Sequence, residues 1–188
     1  MKYTIGIGTI FDESTYNSIR DIELKLANDT GNFAGLGQPP HVTVKRPFDV
    51  SNVEDIQKCL SIMSDLAART KAFELELSGI GNFSDSVLYL RPTYSESLIA
   101  IHDDLVTEVE SIFPGSKTMR EGDNMIFHST LAMDLTARQF ESAKQYLDSL
   151  TPEQLNFTAR IKKVGLFLGI DNNTHWIVIA EEILQNPA

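Results

Sequence analysis

Two short segments of this 188-residue chain share a spacing that could do acid–base chemistry: His41-Val42-Thr43-Val44 and His128-Ser129-Thr130-Leu131. Each is a histidine, one intervening residue, a threonine and an aliphatic. Residues two apart on a β-strand share a face, so each segment is expected to present an imidazole and a hydroxyl to one side. An imidazole titrates near neutrality. Two of them facing one substrate could divide the work, one removing a proton from an attacking oxygen and the other delivering one to a leaving oxygen. The hydroxyls would bond the non-bridging oxygens of a phosphate held between them, where charge develops. The motif leaves open which histidine is acid and which is base, and the roles would exchange with the direction of reaction. A lone His-x-Thr pair has a plainer use, because a half-buried strand must satisfy its own polar groups. The matched placement of two such pairs is what argues for catalysis.

The elements around the motifs recur in order. After the first motif the apolar spacing predicts a helix over 53–70, then the run "FELELSGIGNF" (73–83) and a strand "SVLYLRP" (86–92). A second helix is expected over 96–113, with Ser95 as its cap and Pro114-Gly115 as its stop. The polar stretch "PGSKTMREGDN" (114–124) reads as a mobile loop suited to gating. Then follow a strand "MIFHSTLAM" (125–133), a helix over 137–150 capped by Thr136, "FTARIKKVGLF" (157–167) and a strand "THWIVIAEEIL" (174–184). Phe73 precedes Gly81 by eight positions and Phe157 precedes Gly165 by eight, and in both cases a second phenylalanine, Phe83 or Phe167, comes two later. His41 precedes Gly81 by 40 positions, and His128 precedes Gly165 by 37. The pattern predicts one bilobal domain over 1–188, made of two related units (39–113 and 124–184) and an N-terminal strand (2–10). The expected class is α+β, duplicated, with two largely antiparallel sheets, helices on their outer faces and a central cleft.

With both motifs in view, the stretch "PPHVTVKRPF" (39–48) resembles the two-histidine (2H) phosphoesterase superfamily, in particular its 2'-5' RNA ligase-like branch. "VLYLRPTYSESLIAIHDDL" (87–105) is similar to a strand and helix of that branch. The resemblance implies metal-independent, cofactor-free chemistry on 2',3'-cyclic phosphates or 2'-5' phosphodiesters. It implies His41 and His128 as the acid–base pair and Thr43 and Thr130 as phosphate contacts. Some members carry an arginine soon after the second motif. Here Ala132 and Met133 stand there, so that role is vacant or filled by Lys45, which strict alternation places on the His41 face. Two other readings stand beside hydrolysis: a nucleotide-binding or sensing module without turnover, and 2'-5' end joining of RNA, the reverse reaction.

Composition narrows the partners. A formal charge of −10 opposes tight binding to long nucleic acid and leaves a small nucleotide or oligonucleotide with a cyclic or 2'-5' phosphate as the expected ligand. Base-stacking candidates on strands are Tyr3, Phe48, Tyr89 and Phe127, and Arg46, Arg91, Lys117 and Arg120 are candidates for the cleft mouth. His102 is expected to pack within its helix, and His175 to begin the last strand. The glycine passages at 6–8 and 31–40 lack the endings of dinucleotide or phosphate loops and are read as conformational. The single cysteine, Cys59, forms no internal disulfide and sits at helical spacing. The start of the chain has no signal-peptide pattern, and no apolar run approaches the roughly 18 residues of a membrane span. The reading is a cytoplasmic monomer that carries no metal.

Overall fold

Strand β1 (Tyr3–Ile10) carries Ile5 and Ile7 toward the core and leads, through the Asp12 cap, into helix α1 (Glu13–Thr30). The computed structural model describes residues 2–186. Asp12 accepts the Thr15 N–H, Ile19, Ile22 and Leu26 make the buried stripe, and Gly31 ends the helix at a positive φ of 67°. This helix adds to the elements expected from the sequence, none of which falls within 11–30. The glycine passage that follows is an ordered 3-10 turn (Ala34–Gly37) seated on the second motif strand.

Strand β2 (Thr43–Val50) then enters the first sheet, and α2 (Val53–Arg69) starts on an Asn52 cap. Strand β3 (Phe73–Phe83) turns into β4 (Val87–Pro92), and α3 (Glu96–Ile112) starts at Ser95, whose hydroxyl accepts the Leu98 N–H as expected. The second motif strand, β5, spans only Ser129–Ala132. Helix α4 (Ala137–Ser149) has a full capping box from Thr136 and Gln139, and a single turn, α5 (Pro152–Leu155), precedes β6 (Phe157–Ile161), β7 (Lys163–Ile170) and β8 (His175–Ile183).

The strands form two antiparallel four-stranded sheets, in the orders β2-β1-β7-β8 and β5-β4-β3-β6. Helices α2 and α3 pack together on the first sheet, and α1 and α4 on the second. The opposite faces meet at the cleft, which is the α+β arrangement the sequence predicts. The sheets draw on both ends of the chain. β3, which follows the first motif, lies beside β4 in the second sheet, and β7, which follows the second motif, lies beside β1 in the first.

Each motif strand carries a bulge at the same place. In the first sheet Gly8 faces Thr43 and Ile7 faces Lys45, so Val44 is an extra residue. In the second, Tyr89 faces Thr130 and Leu88 faces Ala132, so Leu131 is extra. The aliphatic position that closes each His-x-Thr motif is therefore the bulged one.

Candidate active site

His128 sits immediately before its strand and His41 two residues before its own, and both are held the same way. Nδ1 of His41 lies 2.8 Å from the carbonyl of Pro39, and Nδ1 of His128 lies 2.8 Å from that of Ile126. A carbonyl only accepts, so each Nδ1 carries the hydrogen, and Nε2 is left as the reactive edge. The Thr43 hydroxyl is 3.2 Å from Nε2 of His41 and donates to it. His41, Thr43, His128 and Thr130 all line one cleft of about 730 Å³, a volume suited to a nucleotide.

Aromatic packing fixes the rings. His41 lies against Phe167 at 4.5 Å, and His128 meets Phe83 edge-on at 4.9 Å with Tyr89 at 5.4 Å. Gly8 passes directly behind His41, where an added Cβ would meet the ring at 2.8 Å. Burial pushes the His41 pKa down to about 4, against the pull of the Pro39 carbonyl, and a charge on His128 lowers it further. His128 is lowered as well, by burial first and by the nearby Arg46 guanidinium, against the pull of the Ile126 carbonyl. Two neutral imidazoles thus face the cleft at neutral pH.

The chain has 26 acidic residues, yet none lines the cleft, while Arg46 and Arg120 do. Low-dielectric walls with one sign of charge attract an anion despite the overall negative balance. The aromatic surface comes from Phe83, Phe167 and Trp176. Among the described residues no group of three or more His, Cys, Asp or Glu is placed to hold a metal ion.

Several expected contacts lie elsewhere. Lys45 is fully buried, with Nζ 2.9 Å from Glu121 Oε1 and 3.0 Å from the Ser116 carbonyl, and it does not line the cleft. The bulge at Val44 breaks the alternation that put Lys45 beside Thr43, so Lys45 shares the inward face of Ile7, and Arg46 reaches the cleft instead. Tyr3 and Phe48 pack into the core, and Phe48 stacks near Phe113 at 5.7 Å. Phe127 is buried against Tyr94 and His102, and Tyr89 stands behind His128 rather than on the cleft wall. The aromatic residues that do line the cleft, Phe83, Phe167 and Trp176, are not among the stacking candidates expected from the sequence. The first two are marked by the repeated Gly-x-Phe, which is the signal that could have found them.

The loop expected to be mobile is anchored. Glu121 is buried and accepts the N–H groups of Arg46 at 3.0 Å and Thr118 at 2.7 Å as well as the Lys45 ammonium. Burial would raise its pKa, but these three donors outweigh burial and hold it below the usual value. His102 joins the same assembly from α3. Its Nδ1–H donates to the Val44 carbonyl at 2.8 Å, and its Nε2 accepts the Gly122 N–H at 2.9 Å. The bulged carbonyl of β2 is thus satisfied from behind. On the other side of the cleft, Arg20 donates to the Gln38 carbonyl at 2.7 Å and holds the turn that places Gln38 on the wall.

The model of the 2'-5' RNA ligase superfamily matches residues 11–168. No curated protein sequence matches the chain. Among solved structures, TT0787 of Thermus thermophilus superposes with a TM-score of 0.69 at 13% identity, covering 98% of this chain and all (100%) of that one. LigT of E. coli in its apo form gives 0.61 at 16% identity over 98% and 99% of the two chains. LigT complexed with 3'-AMP gives 0.63 at 14% identity, again over 98% and 99%. These likenesses show the same fold at low identity. With the family match spanning most of its length, the chain belongs to the 2'-5' RNA ligase superfamily, a group of two-histidine phosphoesterases.

Proposed function

We propose that this protein is a phosphodiesterase that opens 2',3'-cyclic phosphates, or cleaves 2'-5'-linked or cyclic oligonucleotides, by acid–base catalysis from His41 and His128. The observation that carries the reading is the pair of imidazoles, each locked through Nδ1 and each backed by a phenylalanine, lining a single cleft free of carboxylates. LigT has been solved with 3'-AMP, with ATP and with phosphate, which supports a nucleotide phosphate as the ligand of this cleft.

His41, neutral down to about pH 4, suits the base. Its Nε2 takes a proton from water as the water oxygen bonds to phosphorus. The bond from phosphorus to one ribose oxygen breaks, and His128 gives that oxygen its proton. Burial keeps His128 neutral in the free cleft, and the anionic phosphate offsets that burial cost, so the acid is charged as substrate arrives. The hydroxyls of Thr43 and Thr130 donate to the non-bridging oxygens while charge accumulates there. The product is a phosphomonoester.

A small ligand is expected because the formal net charge of −10 opposes a long phosphate backbone. The buried, unpaired thiol of Cys59 fits a reducing cytoplasmic setting. No helix among the described residues is long and apolar enough to cross a membrane.

The test offers the purified protein, in chelator, three substrates separately: adenosine 2',3'-cyclic phosphate, 2'-5' oligoadenylate and a cyclic dinucleotide. Turnover of at least one is expected, with a loss of about 10²–10⁴ in His41→Ala and in His128→Ala. Turnover that survives both substitutions would remove these histidines from the mechanism. Tight binding with no turnover would instead identify a nucleotide-sensing module.

A further inference from the structure

The cleft holds more positive charge than one phosphodiester needs. A cyclic or 2'-5' diester carries a single negative charge, and Thr43 and Thr130 already stand ready for its two non-bridging oxygens. Arg46 and Arg120 line the same cleft, and neither guanidinium is paired with a carboxylate among the described residues. That is notable in a chain where acidic residues outnumber basic ones by 26 to 16.

The two arginines come from distant parts of the sequence and are set by one buried group. Glu121 fixes Arg46 by accepting its backbone N–H, and it is the sequence neighbour of Arg120. Lys45 neutralises Glu121 in the interior, both side chains being 0% exposed, so this carboxylate orders the arginines without competing for an anion. His102 holds the next residue, Gly122, to the bulge of β2. Bulge and loop are therefore tied together, and Arg46, Arg120 and Asn124 from them line the cleft.

From this we infer that Arg46 and Arg120 form a subsite for a second phosphate, and that the substrate class is a nucleotide bearing a phosphomonoester in addition to the bond that is cleaved. The inference rests on the phosphodiesterase reading above and names its substrate more narrowly. A phosphomonoester carries about −1.5 to −2 at pH 7 and offers three oxygens, which matches two cations whose planar forks bond phosphate in pairs. A nucleoside 2',3'-cyclic phosphate with a 5'-phosphate has this chemistry, and so does a 2'-5' oligonucleotide with a 5'-terminal phosphate.

The experiment compares adenosine 2',3'-cyclic phosphate with the same nucleotide carrying a 5'-phosphate, using the full chain. The wild type should prefer the 5'-phosphorylated substrate by about tenfold or more in kcat/KM, chiefly through KM, since charge-assisted hydrogen bonds to both arginines are gained. Arg46→Gln and Arg120→Gln should each reduce that ratio several-fold. A wild-type ratio near one, or a ratio untouched by both substitutions, overturns the subsite. If neither nucleotide is turned over, the hydrolytic reading fails, and the subsite is judged by equilibrium binding of 2'-AMP against adenosine 2',5'-bisphosphate. A preference of about tenfold for the bisphosphate upholds the subsite, and equal affinity overturns it.

Discussion

The ring of Phe83 meets the ring of His128 edge-on at 4.9 Å, although the phenylalanine follows the first His-x-Thr motif and the histidine belongs to the second. Phe167, which follows the second motif, lies against His41 at 4.5 Å. The reciprocity comes from the sheet orders, because β3 joins the sheet of the second motif and β7 joins that of the first. Each Gly-x-Phe strand therefore supports the histidine of the other motif. Neither imidazole is positioned by its own segment alone, so the site forms only when both sheets are complete.

Phe83→Leu tests that support. Leucine keeps apolar bulk but lacks the ring edge that fixes the His128 plane. Turnover should fall by about tenfold, because a loosened imidazole spends less time aligned with the leaving oxygen. Stability should change by about 1 kcal/mol. Unchanged turnover would mean that the Ile126 carbonyl and Tyr89 orient His128 without Phe83.

Gly8→Ala separates positioning from folding more sharply. The new Cβ would sit 2.8 Å from His41 Cδ2, 2.9 Å from Phe167 Cε2 and 3.3 Å from the Val42 carbonyl. The two rings can rotate more cheaply than the backbone can move, so the strain should be relieved by displacing His41. The expected cost is about 1–3 kcal/mol in stability, measured by chemical denaturation. Turnover should fall by about a hundredfold, since a displacement of an ångström at a reacting group costs that much. A variant that loses stability and keeps its turnover would show that Gly8 serves packing alone.

Much of this site is legible in the chain because its marks are local. The two His-x-Thr pairs, the Ser95 and Thr136 caps and the apolar spacing of α2, α3 and α4 each depend on residues within one or two turns, and the structure places these elements where the spacing predicts. The Lys45 assignment fails because it depends on a register, and nothing in "HVTVKRPF" marks Val44 as the extra residue in its pairing with β1. The stacking aromatics expected on the motif strands themselves, Phe48 and Phe127, turn inward. The rings on the cleft wall come from β3, β7 and β8, brought there by the exchange of strands between sheets. Helix α1 has a capping aspartate and an apolar stripe at Ile19, Ile22 and Leu26, so its signal is present in the chain and as local as the others.

Lys45→Met should be among the most damaging single changes outside the cleft. It strands the Glu121 carboxylate in the interior, and breaking a buried pair from one side costs about 3–5 kcal/mol. Glu121→Gln added to it removes the orphaned charge and keeps an oxygen to accept the Arg46 or Thr118 N–H. The double variant should therefore be more stable than Lys45→Met by about 1 kcal/mol or more. Equilibrium denaturation of the wild type, both singles and the double closes the cycle. Simple additivity of the two single losses would mean that the two groups are not energetically coupled.

The lowered histidines fix a pH dependence with a definite sign. His41 titrates at about 4 in the folded protein and near the ordinary 6.5 when unfolded. Between these values the unfolded chain binds a proton that the folded one refuses, so stability is fully present above about 6.5 and is lost as pH falls toward 4. His128, also lowered, acts in the same direction. With His41 as the proposed base and His128 as the proposed acid, activity should follow the same groups, because kcat/KM reports the free protein. A base at about 4 and an acid below 6.5 place the maximum of kcat/KM on the acidic side of 6.5. NMR titration of the imidazole carbons should give His41 a midpoint near 4, and His41→Ala should flatten the loss of stability in that window. A midpoint above 6.5, or a rate maximum well into the alkaline range, would remove His41 from the role of a base poised neutral in a dry pocket.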